Sequence, residues 1–169
     1  MNIVDRLNVE RAFLGSLLLM PARSAGRFAG LVEADDLEDP RLRVVHALAA
    51  ELAAEGVAPD PVAVLARART RATVTTAHAI REFAELLHTL YAECPLPVCV
   101  PYYIAATLDD ALRRRCAVLG ERIDQAAASS TLADLIRLVG EQVHAVLVLV
   151  DRRARTLESL GLTVDEARS

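Results

Sequence analysis

Residues 102–153 read YYIAATLDDALRRRCAVLGERIDQAAASSTLADLIRLVGEQVHAVLVLVDRR. Ile104, Leu108, Leu112, Cys116, Leu119 and Ile123 recur at helical spacing, so Tyr102–Ala128 is expected to be one helix of about 27 residues, ~40 Å long. Its apolar stripe is narrow, like a coiled-coil seam. Ser129, Ser130 and Thr131 interrupt the pattern, and Thr131 with Asp134 resembles a capping box for a second helix, Leu132–Arg153. A connection this short makes the two helices antiparallel neighbours, an αα-hairpin. With the turn near Ser130, residue i faces roughly 260 − i on the other helix. Arg152 and Arg153 then come level with Leu108, beside Asp109 and Asp110. This predicts exposed ion pairs, each worth under about 1 kcal/mol.

In the second helix, Leu132, Leu135, Ile136, Val139, Val143, Val146, Leu147 and Val150 fall on one face. The sequence reading places that face against the first helix. Leu138, Ala145, Val148 and Leu149 lie outside it, which leaves the C-terminal part of the helix apolar almost all round. An antiparallel partner covers one face, not two. These four residues are therefore expected to form an oligomer interface, unless the N-terminal part of the chain folds over them. The run Val146–Val150 also suits a strand, but the pattern before it is helical for three turns.

Outward from this hairpin, the rest of the 169-residue chain is helical in period and punctuated by proline. Asn8 caps a helix Val9–Met20, and Ala22–Val32 follows. Asp39-Pro40 opens Pro40–Glu55, with Leu42, Val45, Leu48, Ala49 and Leu52 inward and Gly56 past its end. Asp60-Pro61 opens Pro61–Arg71. Thr75 or Thr76 caps Ala77–Glu93, with Ile80, Phe83, Leu87 and Leu90 inward. Cys94–Pro101, with three prolines, reads as extended. The final Thr163-Val-Asp-Glu166 reads like a helix start. The expected fold is all-α: a helical globule over 1–100, a helical hairpin over 101–155, and a tail or start of a linker over 156–169. With Trp absent and aromatics at 4%, the core must come from Ala, Leu and Val.

Composition limits the chemistry. All 19 basic residues are Arg, so there is no lysine for a phosphate-binding loop, a Schiff base or a general base. No G-x-G-x-x-G or G-x-S-x-G occurs. His88, Cys94 and Cys99 match no common zinc spacing. The carboxylates Glu33, Asp35, Asp36, Glu38 and Asp39 are dense enough to hold a cation, yet loop solvation and capping explain them more cheaply. No catalytic residue, cofactor or metal is expected. Net charge is −4, divided as −3 over 1–100, +1 over 101–155 and −2 over 156–169, without the basic excess of an autonomous duplex-DNA binder. Arg113, Arg114 and Arg115 span ~200° of the helix. They, with Arg152 and Arg153, are the residues expected to meet a partner or DNA, against the plainer reading of a solvated face. Tyr102-Tyr103 either anchors an interface or seats the long helix. Three cysteines, an N-terminus unlike a signal sequence and short apolar stretches point to a cytoplasmic protein with no membrane contact.

Three motifs in order are similar to the N-terminal domain of the DnaB-type replicative helicases. Glu10–Pro21 resembles E-x-A-x-L-G-(S/A)-(L/M)-L-x-(D/N)-P. Asp39-Pro40-x-x-Arg43, running to Leu52, Gly56 and Asp60, resembles D-P-x-H-R…L-x-x-x-G-x-x-x-D. Pro95, Tyr102-Tyr103 and Ala111–Arg115 resemble V-P-S-x-x-N-x-x-Y-Y-A…A-L-R-R-R. Leu42 stands where the family usually has His, Cys99 where it has Asn, and Arg71–Ala77 where it has a glycine-rich turn. The resemblance implies a helical globule with a hairpin and no ATPase motor within the matched stretch. It implies a non-catalytic module of DNA replication that associates with itself as a dimer or higher oligomer. The implied partners are the replicative helicase or primase, with DNA contact weak or indirect. The alternative is a DNA-binding accessory protein using the hairpin arginines.

Overall fold

The structure, a computed structural model, describes residues 8–162. Within them every regular element is helical, as the periodicity predicts, with seven α-helices and two short 3-10 turns. Contacts divide the chain into two units, one ending at Thr107 and the other beginning at Leu108.

In the first unit, each helix start is set by the residue just before it. Asn8 accepts the Arg11 N–H at 3.1 Å and opens α1 (Val9–Leu18). Pro21 precedes α2 (Ala22–Ala29). Asp39 accepts the Arg41 N–H at 2.8 Å and opens α3 (Pro40–Ala54). Asp60 accepts from Val62 and Ala63 at 2.8 and 3.0 Å and opens α4 (Pro61–Thr70). Thr76 accepts from Ala79 at 3.1 Å and opens α5 (Ala77–Ala92). These caps satisfy backbone donors that have no partner inside the helix. Gly56, at φ +80, ends α3 in the left-handed conformation as expected. The end of α4 uses the same device without a glycine. Ala72 takes φ +53, and the Thr73 N–H closes on the Ala68 carbonyl at 2.9 Å.

The core forms where α1 packs on α2, α3 and α5, α3 on α2 and α4, and α4 on α5. Phe13, Leu14, Leu17, Leu42, Val45, Val64 and Leu87 are buried in it. Of the residues expected to face inward on α5, Phe83, Leu87 and Leu90 are buried and Ile80 is half-buried. Gly15 permits a close approach. A Cβ there would lie 2.4 Å from the Leu90 carbonyl oxygen and 2.9 Å from Cys94 Cβ. Glycine in the first motif is thus a packing requirement between α1 and the end of α5.

The acidic loop 33–39 is held by its own neighbours. Glu10, buried on α1, accepts the Glu38 N–H on both oxygens at 3.0 and 2.9 Å. Asp36 accepts the Glu33 N–H at 2.8 Å across the 3-10 turn Ala34–Asp36. Arg43 donates to the Leu37 carbonyl at 2.8 Å. The first and second motifs therefore fix one loop between α2 and α3.

Two boundaries differ from the sequence reading. Cys94–Pro101 is not extended throughout. Pro97–Cys99 is a 3-10 turn and α6 (Val100–Ser129) begins at once. Proline fits the first turn of a helix because its missing N–H has no acceptor there. At the other end, α7 (Leu132–Leu160) runs about two turns past Arg153. Its stop is Gly161 at φ +69, with the Leu162 N–H closing on the Leu157 carbonyl at 3.0 Å. The arginines at 152, 153 and 155 carry no stop signal of this kind. The expected helix start at Thr163–Glu166 lies outside the described residues.

In the second unit, Thr131 caps α7 by accepting the Asp134 N–H at 3.3 Å. Its hydroxyl donates to the Asp134 carboxylate at 2.7 Å. Two bonds fix the antiparallel register of the hairpin. Arg122 donates to Gln142 at 3.3 Å and Arg153 donates to Asp109. Residue i is thus level with roughly 263 − i, within a turn of the expected value. The Arg153–Asp109 pair forms as predicted but not on the exposed surface. Its side chains are 13% and 24% exposed.

Candidate interaction surface

The side of α7 that meets α6 carries Gln142 and Arg153, as their bonds to Arg122 and Asp109 show. Around that line Leu149, Thr156 and Leu157 are buried, and Leu135, Leu138, Val139 and Val146 are half-buried. At 100° per residue this face is centred about 70° from the one that the apolar pattern selects. The expected interface set is therefore corrected. Leu149 is 3% exposed and Leu138 is half-buried, whereas Ala145 is exposed and Val148 is 51% exposed. The displacement has a physical cause. The buried side includes three polar residues, each with a reason to be there or near it: Gln142 and Arg153 bond across the hairpin, and Thr156 lies in the extension beyond Arg153. A reading weighted by hydrophobicity rejects those positions.

The stripe left uncovered is Leu132, Ile136, Val143, Leu147 and Val150, at 72%, 64%, 40%, 59% and 42% exposure. Gly140 lies at its edge, with no atom within 4 Å of a Cβ built on it. The run spans about 27 Å of helix. An exposed apolar line of this length on one helix is the kind of surface that marks an interaction site.

The arginines are divided among roles. Arg113 is exposed, Arg114 and Arg115 are half-buried, Arg152 is half-buried and Arg153 is held by Asp109. Arg155 is tied to Asp151 at 2.7 Å. Much of the basic charge is thus engaged within the unit rather than gathered on one free face. Tyr102 is 44% exposed and meets Tyr103 edge-on at 6.2 Å between ring centres.

A second concavity lies on the globule, beside α3 and α5. A hollow of about 480 Å³ is lined by Asn8, Arg11, Asp39, Arg41, Leu42, Glu82, Glu85, Leu86 and Thr89. A neighbour of about 240 Å³ shares Arg41, Glu82 and Leu86. The hydrogen bond from Arg41 lowers the Asp39 carboxyl below its ordinary value, so the rim carries an ion pair. Glu51 is likewise lowered, by Arg71 and then Arg67, in a network that ties α3 to α4. Burial pushes the Cys94 thiol up, away from a reactive thiolate. Among the described residues, no group of three or more His, Cys, Asp or Glu is placed to hold a metal ion. Among them, no helix is long and apolar enough to cross a membrane.

The chain is similar in fold to a solved structure, the N-terminal domain of DnaB helicase from Mycobacterium tuberculosis. The TM-score is 0.70 at 24% identity, covering 82% of this chain and 96% of that one. No match is found among curated proteins. The family model for the DnaB-like helicase N terminal domain matches residues 4–106, which takes in all five helices of the globule and the start of α6. With Gly15 at its close helix crossing, Glu10 and Arg43 clasping the acidic loop, and a family match over more than half its length, the chain belongs to the DnaB-like helicase N-terminal domain family.

Proposed function

We propose that this chain is a non-catalytic oligomerisation and docking module of DNA replication. It associates with itself through the hairpin and makes contact with the replicative helicase or primase in the cytoplasm. The observation that carries this reading is the uncovered stripe on α7. Each large apolar side chain left in water forgoes ~1.5–3 kcal/mol of burial, which a helix face retains only where a partner covers it. The lack of lysine and of a glycine-rich loop supports a module that neither hydrolyses nucleotide nor unwinds DNA by itself. The DNA-binding alternative has no comparable support, because the hairpin arginines are offset by carboxylates of the same helices.

The test is co-assembly. Tagged chain mixed with purified full-length replicative helicase from the same source should co-elute in a stoichiometric complex. Leu147→Asp should lose that complex while keeping its helical circular dichroism. Equal recovery of helicase with wild type and Leu147→Asp would show that the stripe is not the docking surface. Salt-sensitive binding to single-stranded DNA without any helicase contact would favour the DNA-binding reading.

A further inference from the structure

From the two adjoining hollows on the globule we infer that residues 1–7 of the same chain dock there, as a strap laid along α5 and across the starts of α1 and α3. Those seven residues lie outside the described ones, so the inference is carried by the groove and by the sequence that leads into it. It is independent of self-association through the hairpin. The hollow beside Asn8 and its neighbour share Arg41, Glu82 and Leu86, so they form one channel. Its lining on α5 runs from Ala79 to Thr89, about 15 Å of helix. At the far end Val44, Val74, Phe83 and Leu86 make an apolar floor, and Val44, Val74 and Leu86 are only half-buried. The near end carries three carboxylates. Asp39 is paired with Arg41 at 2.7 Å, and Arg11 adds its charge there. Glu82 is met by His78 at 3.4 Å, a partner that is charged only when protonated. Among the described residues, the exposed carboxylate of Glu85 enters no ion pair.

The sequence before α1 matches that lining in order. Asn8 lines the channel and caps α1, so the chain reaches α1 from the channel's near end. The segment is Met1-Asn2-Ile3-Val4-Asp5-Arg6-Leu7. Seven extended residues reach up to ~24 Å, more than the channel needs. Laid from Asn8 toward Val74, Arg6 comes about 7 Å along, level with Glu85, and Val4 about 14 Å along, over the apolar floor. Residues two apart share a face of an extended chain, so one orientation aims both Arg6 and Val4 at α5. A cation thus meets the unpaired carboxylate and an aliphatic side chain meets the floor. The tether favours this occupant over any free one. A segment joined by so short a link has an effective concentration on the order of millimolar, which a separate ligand must out-compete. The strap therefore keeps the channel closed to weak ligands.

Tryptophan is absent from the sequence, so Val4→Trp or Ile3→Trp places a single fluorescent probe on the strap. In the full chain its emission should be blue-shifted. Acrylamide should quench it several-fold less than it quenches a free peptide of residues 1–8 carrying the same change. Leu86→Glu, which puts a charge on the floor, should return emission and quenching to the peptide values. Glu85→Arg and Arg6→Glu should each raise quenching, and the two together should restore protection. Protection should be unchanged on dilution, because the strap serves its own chain. Far-UV circular dichroism follows folding in each variant; if Leu86→Glu unfolds, the exchange of charge between Glu85 and Arg6 decides alone. Peptide-like quenching of both Val4→Trp and Ile3→Trp would overturn the inference. Protection indifferent to Leu86→Glu and to the charge exchange would mean docking elsewhere and would overturn it too. Protection lost on dilution would mean that the strap reaches a second copy, against the assignment to its own chain.

Discussion

Replacing Gly15 with alanine sets two effects of opposite sign against each other. Inside a helix, alanine is favoured over glycine by about 1 kcal/mol, so an unobstructed site gains stability. At Gly15 the added carbon would lie 2.4 Å from the Leu90 carbonyl oxygen and 2.9 Å from Cys94 Cβ. Both obstacles belong to the chain at the end of α5, and the nearer is backbone, which no rotamer change relieves. α1 and α5 must part by about an ångström, loosening contacts around Phe13, Leu14, Leu17 and Leu87. Overpacking of this kind costs about 1–3 kcal/mol, and a backbone obstacle lies at the upper end. The net expectation is a loss of about 2 kcal/mol, or a Tm lower by about 4–8 °C for a chain of this size. Urea and thermal unfolding followed by circular dichroism measure it, with Gly120→Ala as the control that should gain stability. A Gly15→Ala protein as stable as the wild type, or more so, would refute the claim that this glycine is required by helix packing.

Other expectations follow from single contacts. Glu10→Ala should cost about 1.5–3 kcal/mol by freeing the Glu38 N–H from a charged acceptor, read as a lower urea midpoint. Ala72→Gly should stabilise by about 1 kcal/mol, because Ala72 holds φ +53 at the end of α4; an unchanged or lower midpoint contradicts that strain. Burial holds His46 below the ordinary histidine value of 6.5, with Nε2–H donating to the Ala29 carbonyl at 3.1 Å. The unfolded chain then takes up a proton that the native chain resists. Stability should be full above pH 6.5 and decline as pH falls through and below that value, and His46→Gln should flatten the decline. A double-mutant cycle on Arg153 and Asp109 should give about 1–2 kcal/mol of coupling, more than an exposed pair gives, because both side chains are largely covered. A coupling near zero would place them back in solvent.

The helix starts were legible because a cap is local chemistry. Asn8, Asp39, Asp60, Thr76 and Thr131 each meet a backbone N–H two or three residues on, and nothing distant alters that. The hairpin register was legible for a similar reason, since a tight turn leaves little freedom to slide. Which side of α7 turns inward was not legible from apolar pattern. The inward side spends positions on Gln142, Arg153 and Thr156, and their value depends on Arg122 and Asp109, far away in sequence. The length of α7 was missed because the stop belongs to Gly161, beyond the arginines that looked like an end. Leu149 therefore moved from the expected surface to the interior, while Leu132, Ile136, Val143, Leu147 and Val150 moved out.

The central claim is that the uncovered face of α7 is where one copy meets another. Sedimentation equilibrium of the 18.3 kDa chain at concentrations on the order of 10 µM tests it most directly. The account predicts twice the monomer mass or a higher even multiple, falling to the monomer mass in Leu147→Asp with the helical signal intact. A wild type at monomer mass across that range, or a Leu147→Asp protein that keeps the wild-type mass, would contradict it.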